Sequence, residues 1–86
     1  MLKIYGSMLC PDCVQCLEDL NRAGVAYEYL DFSTDLRNLK DFLKLRDASP
    51  IFDEVKSLGA IGIPCLVNEA GELSLDWSTY VGQDKA

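Results

Sequence analysis

Apolar residues along this chain switch between two spacings, and the switches mark the elements. Leu2-Lys3-Ile4-Tyr5 is a short apolar run ended by Gly6 and Ser7, which predicts a first strand. After Pro11 the spacing becomes helical. Cys13, Leu17, Leu20 and Ala23 share one face, and Gly24 stands where a stop is expected. Val25–Leu30, rich in β-branched and aromatic residues, predicts a second strand. Two strands joined by a helix imply parallel pairing through a right-handed crossover.

Asp31 to Asp35 forms a helix entry, and Leu36, Leu39, Phe42 and Leu43 stripe the helix beyond it. Lys40, Lys44 and Arg46 read as its solvated face. Ser49 as cap and Pro50 at the first position open a third helix, striped by Ile51, Val55 and Leu58 and closed by Gly59. A third strand starts at Pro64 or Cys65, since proline is tolerated at a strand's first residue. Asn68 to Gly71 reads as a hairpin turn into an antiparallel strand, Glu72 to Leu75. Asp76 to Val81 predicts a short closing helix that packs Trp77 and Tyr80 back, and Gln83 to Ala86 a frayed tail. The order is βαβ, then helices, then ββα around a mixed sheet of four strands.

Eighty-six residues, 49% of them hydrophobic and 26% charged, fit one globular domain over 1–86. A net charge of −6 weighs against nucleic acid and anionic membrane surfaces as partners. No run approaches the ~18 apolar residues of a membrane span, and no signal-peptide pattern opens the chain. The expected setting is cytoplasmic, where closely spaced cysteines are more often catalytic or metal-binding than structural. The chain has no histidine, which excludes Cys–His nucleophilic catalysis and Cys₂His₂ zinc sites.

The chemistry gathers in Cys10-Pro11-Asp12-Cys13-Val14-Gln15-Cys16. Cys10 falls just before a helix start, with Pro11 in the first turn, where its missing N–H costs nothing. Unpaired N–H groups and the positive end of the helix dipole face the Cys10 sulfur and favour its reactive thiolate form. Asp12 sets a carboxylate beside that thiolate and opposes the dipole. A disulfide needs Cα atoms within ~7 Å, and residues six apart on a regular helix are ~9 Å apart along its axis. Cys13 can therefore pair with Cys10 or Cys16, whereas Cys10 and Cys16 cannot pair with each other. Cys16 also reads as a small core residue beside Leu17 and Leu20, and Cys65 as a strand residue facing the core.

A Cys-Pro-Asp-Cys run after the first strand, preceded by Tyr5 and followed later by Ile63-Pro64, resembles the glutaredoxin branch of the thioredoxin superfamily. The resemblance spans nearly the whole chain. It implies a thioredoxin-like α/β three-layer sandwich, βαβ-α-ββα, and dithiol–disulfide exchange. Cys10 would attack a disulfide, Cys13 would resolve the mixed disulfide, and Pro11, Asp12, Ile63 and Pro64 would line the substrate groove. It also implies a cis peptide bond before Pro64. No bound cofactor is expected. The partners implied are a disulfide-containing protein or glutathione as co-substrate, with a thioredoxin-reductase-type flavoenzyme as the other candidate electron source.

The chain departs from the family where glutathione is held. Gly6-Ser7-Met8-Leu9 carries no lysine before Cys10, and Leu73-Ser74-Leu75-Asp76-Trp77 stands where a Gly-Gly signature and acids are usual. The overlapping Cys13-Val14-Gln15-Cys16 run resembles that of glutaredoxin-like electron donors to ribonucleotide reductase, but the distance from Tyr5 fits Cys10 as first cysteine. Within exchange, Cys16 and Cys65 could act as auxiliary thiols. Two further readings stand beside it: a module in which Cys10, Cys13 and Cys16, with or without Cys65, ligate zinc or an iron–sulfur cluster, and a degenerate redoxin that only binds a partner.

Overall fold

The computed structural model describes residues 1–81, so the predicted tail lies outside the described residues. Its elements are β1 (Leu2–Gly6), α1 (Pro11–Ala23), β2 (Tyr27–Asp31), α2 (Leu36–Ala48), a 3₁₀ turn (Pro50–Phe52), α3 (Asp53–Ser57), β3 (Cys65–Val67), β4 (Leu73–Ser74) and α4 (Ser78–Val81). The strands form one mixed sheet in the order β2-β1-β3-β4. β1 runs parallel to β2, with Ile4 opposite Tyr29 and Gly6 opposite Asp31. It runs antiparallel to β3, with Tyr5 opposite Cys65, and β3 runs antiparallel to β4. The parallel pair is joined by α1, the βαβ unit that the spacing predicts.

Strand alternation divides the interior in two. Leu2, Ile4 and Leu66 face α1 and α4 and pack with Cys16 and Leu20. Tyr5 and Cys65 face the other way and pack with Phe42 of α2 and Phe52 of the 3₁₀ turn. Phe42 is the hub of this second core. Its ring lies 5.8 Å from Phe52 at 80°, 5.4 Å from Phe32 and 6.3 Å from Tyr5. Such ring pairs contribute about 0.5–1.5 kcal/mol each beyond the area they bury.

Several helix faces differ from the sequence reading. On α1 the buried residues are Cys13, Cys16 and Leu20, while Leu17 is half-buried and Ala23 exposed. On α2 only Phe42 is fully buried, with Leu39 and Leu45 partly so, and Leu36 is 71% exposed. The helix is rotated by the aromatic cluster: with Phe42 at the centre, Leu36 and Leu43 turn to solvent. The expected third helix is split, because Ser49 and Pro50 start a 3₁₀ turn that drives Phe52 inward. Ile51 and Leu58 are left exposed. β2 begins two residues later than predicted, at Tyr27, because the chain is still leaving α1 through Gly24, whose φ of 75° closes the helix.

Two contacts fix the chain that leads into β3. Arg46 leaves the solvated face assigned to it and donates from Nε to the Ile61 carbonyl and from a terminal nitrogen to the Ala60 carbonyl, both at 2.7 Å. Gly62, at φ 94°, passes so close to Phe52 that a Cβ there would lie 2.8 Å from the ring. At the other end Trp77 Nε1 donates to Asp19 at 2.8 Å, which ties the chain before α4 to α1.

Candidate functional site

β1 delivers the chain at Gly6 into a tight turn, Ser7 to Cys10, closed by the Cys10 N–H donating to the Ser7 carbonyl at 3.0 Å. Inside this turn the Leu9 N–H donates to the Ser7 hydroxyl at 3.1 Å, and Ser7 itself is buried. Met8 and Leu9 are thereby pushed outward, with Leu9 86% exposed. Asp31 braces the turn from the end of β2. Burial raises its carboxyl, but hydrogen bonds from the side chain and N–H of Ser33 and the N–H groups of Met8 and Thr34 outweigh this and hold it below the usual value.

Cys10 is the N-cap of α1, with extended backbone (φ −97°, ψ 119°) and no side-chain capping bond, and Pro11 follows in the first turn. The first-turn N–H groups are thus uncapped beside the Cys10 sulfur, and an anion formed there is placed to accept them. Cys10 is half-buried, whereas Cys13, one turn on, is fully buried. Burial pushes the Cys13 thiol up to about 11, although the Ser7 N–H donates to its sulfur. Cys13 therefore stays a neutral thiol, and the neighbouring Cys10 sulfur adds to the burial that keeps it so. Pro11 and Asp12 lie exposed on the first turn of α1.

The Cys13 sulfur sits over Gly6. A Cβ on Gly6 would lie 2.7 Å from that sulfur and 3.0 Å from the Tyr29 hydroxyl, so the absence of a side chain makes the space that both occupy. The Tyr29 hydroxyl is buried and has no nitrogen or oxygen partner. Gly6 and Tyr29 escaped the sequence reading. The signal for Tyr29 was available in strand alternation, which puts residues 27, 29 and 31 on one face; what it could not supply was which atom of α1 lies above.

Tyr5 pairs with Cys65, and continuing that register sets Pro64 beside Gly6, next to the turn that carries Cys10. The Ile63–Pro64 peptide bond is cis. Ile63 is half-buried and Pro64 buried. The thiols separate into two environments. Cys16 is buried in the α1 core and pushed up to about 12 by burial first, then by Cys13 and Asp19. Cys65 is buried among Tyr5, Phe42 and Phe52 on the opposite face of the sheet, and burial pushes it up to about 11. Cys10 and Cys13 are brought together; Cys16 and Cys65 are held apart in different cores. Among the described residues no group of three or more Cys, Asp or Glu is placed to hold a metal ion, so the four-thiolate ligand set is not assembled.

Among the described residues no helix is long and apolar enough to cross a membrane. The chain is 44% identical over 75 residues to an uncharacterized protein of Haemophilus influenzae, the match covering 87% of each chain, and it belongs to the same family as that protein. No protein-family model matches the chain, and no solved structure matches it.

Proposed function

We propose that this chain is a thiol–disulfide oxidoreductase of glutaredoxin-like, thioredoxin-fold type, acting through Cys10 and Cys13. The observation that carries the reading is the asymmetry of the pair. A half-exposed thiol caps α1 on uncapped N–H groups, and a buried neutral thiol stands one turn behind it. That asymmetry fits the two roles of an exchange reaction. The Cys10 thiolate attacks a substrate disulfide R–S–S–R′, forming Cys10–S–S–R and releasing R′–S⁻, which takes up a proton. Cys13 then attacks the Cys10 sulfur, R–S⁻ leaves and takes the Cys13 proton, and a Cys10–Cys13 disulfide remains. The substrate disulfide is reduced to two thiols and the protein dithiol is oxidised. Glutathione or a thioredoxin-reductase-type flavoenzyme would return the pair to the dithiol.

The β2-β1-β3-β4 sheet, with β1 and β2 parallel and β4 antiparallel, supports the thioredoxin-like reading, as does a cis-proline segment beside the Cys10 turn. The surface around Cys10 supports a protein disulfide as substrate more than glutathione: Met8 and Leu9 stand exposed, and Arg37, the cation at the start of α2, is bound to Asp35 at 2.9 Å.

The test is reduction of insulin disulfides with dithiothreitol as donor, beside reduction of a small mixed disulfide of glutathione, followed by peptide mapping of the oxidised chain. Turnover lost at least a hundredfold in Cys10→Ser, with a Cys10–Cys13 bridge in the oxidised protein, is the expected result. Absence of both turnover and that bridge overturns the proposal.

A further inference from the structure

The Tyr29 hydroxyl is a buried polar group that the exchange chemistry above does not use. It projects from β2 toward α1, and its strand neighbour across the parallel pair, Ile4, offers it nothing polar. Gly6, which could have covered it, has no side chain. Asp31, two residues on along the same strand, is engaged by Ser33, Met8 and Thr34. The reactive atom that shares its pocket is the Cys13 sulfur, since both atoms lie within contact of one point above Gly6. A buried hydroxyl without a partner is destabilising, and a thiolate is a much better acceptor than a thiol.

We infer that the Tyr29 hydroxyl donates a hydrogen bond to the Cys13 sulfur as that sulfur becomes a thiolate, so that Tyr29 sets the rate of the resolving half-reaction. This rests on the exchange reading and names a residue for its second step. In Cys10–S–S–R the Cys13 S–H gives its proton to the departing R–S⁻, a new Cys13–Cys10 bond replaces the Cys10–R bond, and Tyr29 keeps its own proton throughout. Burial first, then the neighbouring Cys13 and Asp31, raise the phenol well above its ordinary value, so it remains a donor over the whole working range. The groups that face Cys13 are Cys10 and Cys16 on α1, the Ser7 N–H from the turn and Tyr29 from β2. The tyrosine and Ser7 favour its thiolate, while burial and Cys10 oppose it.

The experiment mixes reduced protein with one equivalent of the symmetric disulfide of nitrothiobenzoate. Release of the coloured thiolate comes in two phases, attack by Cys10 and resolution by Cys13. Wild-type protein should release two equivalents and Cys13→Ser one. In Tyr29→Phe the first phase should hold within about twofold. The second should slow about tenfold at neutral pH, with its pH midpoint about one unit higher, as loss of one hydrogen bond to an anion predicts. A second phase unchanged in Tyr29→Phe, or both phases slowed alike, overturns the inference while exchange stands. A wild-type protein that releases only one equivalent overturns exchange itself. Should Tyr29→Phe not fold, Cys10→Ser supplies the measurement, because it keeps the tyrosine. There the ¹³C resonance of the Tyr29 ring carbon bearing oxygen should shift with the midpoint at which Cys13 loses its proton, and a flat resonance overturns the inference.

Discussion

On the α1 face of the sheet the interior holds Cys13, Cys16 and the Tyr29 hydroxyl among Leu2, Ile4, Leu20 and Leu66. On the α2 face it holds the rings of Phe42, Phe52 and Tyr5 around a single thiol, Cys65. The same strands supply both faces, residue by alternate residue. The second face is fixed by rings packed edge and tilt on one another, and by Arg46 clamping the loop before β3. The first face gives up some of that packing. It uses small sulfurs and a glycine, and keeps a polar atom without an oxygen or nitrogen partner. The division locates rigidity where the chain entering β3 must be held in place. It locates polar atoms, the Cys13 sulfur and the Tyr29 hydroxyl, over the bare backbone of Gly6. Cys65 teaches the same lesson from the other side: a thiol among aromatic rings is a packing residue whatever its distance in sequence from Pro64.

The comparison breaks most severely at Phe42. Phe42→Ala removes the fully buried hub of the aromatic face and should cost about 3–5 kcal/mol in urea-unfolding free energy, while the aromatic side chains packed on the α1 core, Tyr27, Tyr29, Trp77 and Tyr80, are only partly buried. A loss under about 1 kcal/mol would mean that the aromatic cluster is not what holds α2.

The two glycines sharpen it. Gly62→Ala forces a Cβ onto Phe52 at a positive φ, and Gly6→Ala forces one onto the Cys13 sulfur. Overpacking of this kind costs about 1–3 kcal/mol, with a further ~1–2 kcal/mol for the left-handed backbone at Gly62. The stability loss should be larger for Gly62→Ala. The change in Cys13 alkylation rate, measured on folded protein, should be confined to Gly6→Ala. Equal effects on Cys13 would show that the two faces are coupled through β1.

The smallest effect is alkaline. Cys13, Cys16 and Cys65 have an ordinary thiol value of 9.0 and are raised by burial to about 11, 12 and 11. Above pH 9 the unfolded chain releases these protons and the folded chain retains them, so the unfolded state binds fewer protons and stability falls as pH rises. The contribution is intact below pH 9 and is lost progressively toward 11–12. Unfolding midpoints followed from pH 7 to 10 should decline only above about 9. Cys16→Ala and Cys65→Ala should each flatten the decline by a similar amount, because both folded-state values lie above the range scanned. A decline unchanged in either variant would show that its thiol is not held protonated by burial.

Much of the fold was legible in the order of residues. The bounds of α1 follow from Pro11 and Gly24, which act through φ alone and need no neighbour. The βαβ unit and the β3–β4 hairpin follow from chain order. The start of β3 at Cys65 follows from the proline before it. Cys10 and Cys13 were legible for the same local reason, since three residues on a helix fix their proximity.

Which face of a helix is buried was not legible, because that depends on what arrives from elsewhere. Leu36 and Leu43 obey helical spacing as well as Phe42 does, yet the larger ring took the core and turned them outward. Leu17 packs only partly buried against the core in which Cys16 and Leu20 are sealed. Arg46 reads as a surface cation until the loop at Ala60 and Ile61 presents two carbonyls to it. The Gly6–Cys13–Tyr29 contact joins three segments, 6, 13 and 29, that no spacing rule relates. The sequence determined by itself the elements, their order and the thiol pair at the head of α1, because each rests on backbone geometry within a few residues. Only the tertiary structure decided which thiols are sealed, which cation clamps a loop and which hydroxyl faces the Cys13 sulfur. Those depend on packing between distant segments, where volume and the satisfaction of buried polar atoms choose among side chains that are locally equivalent.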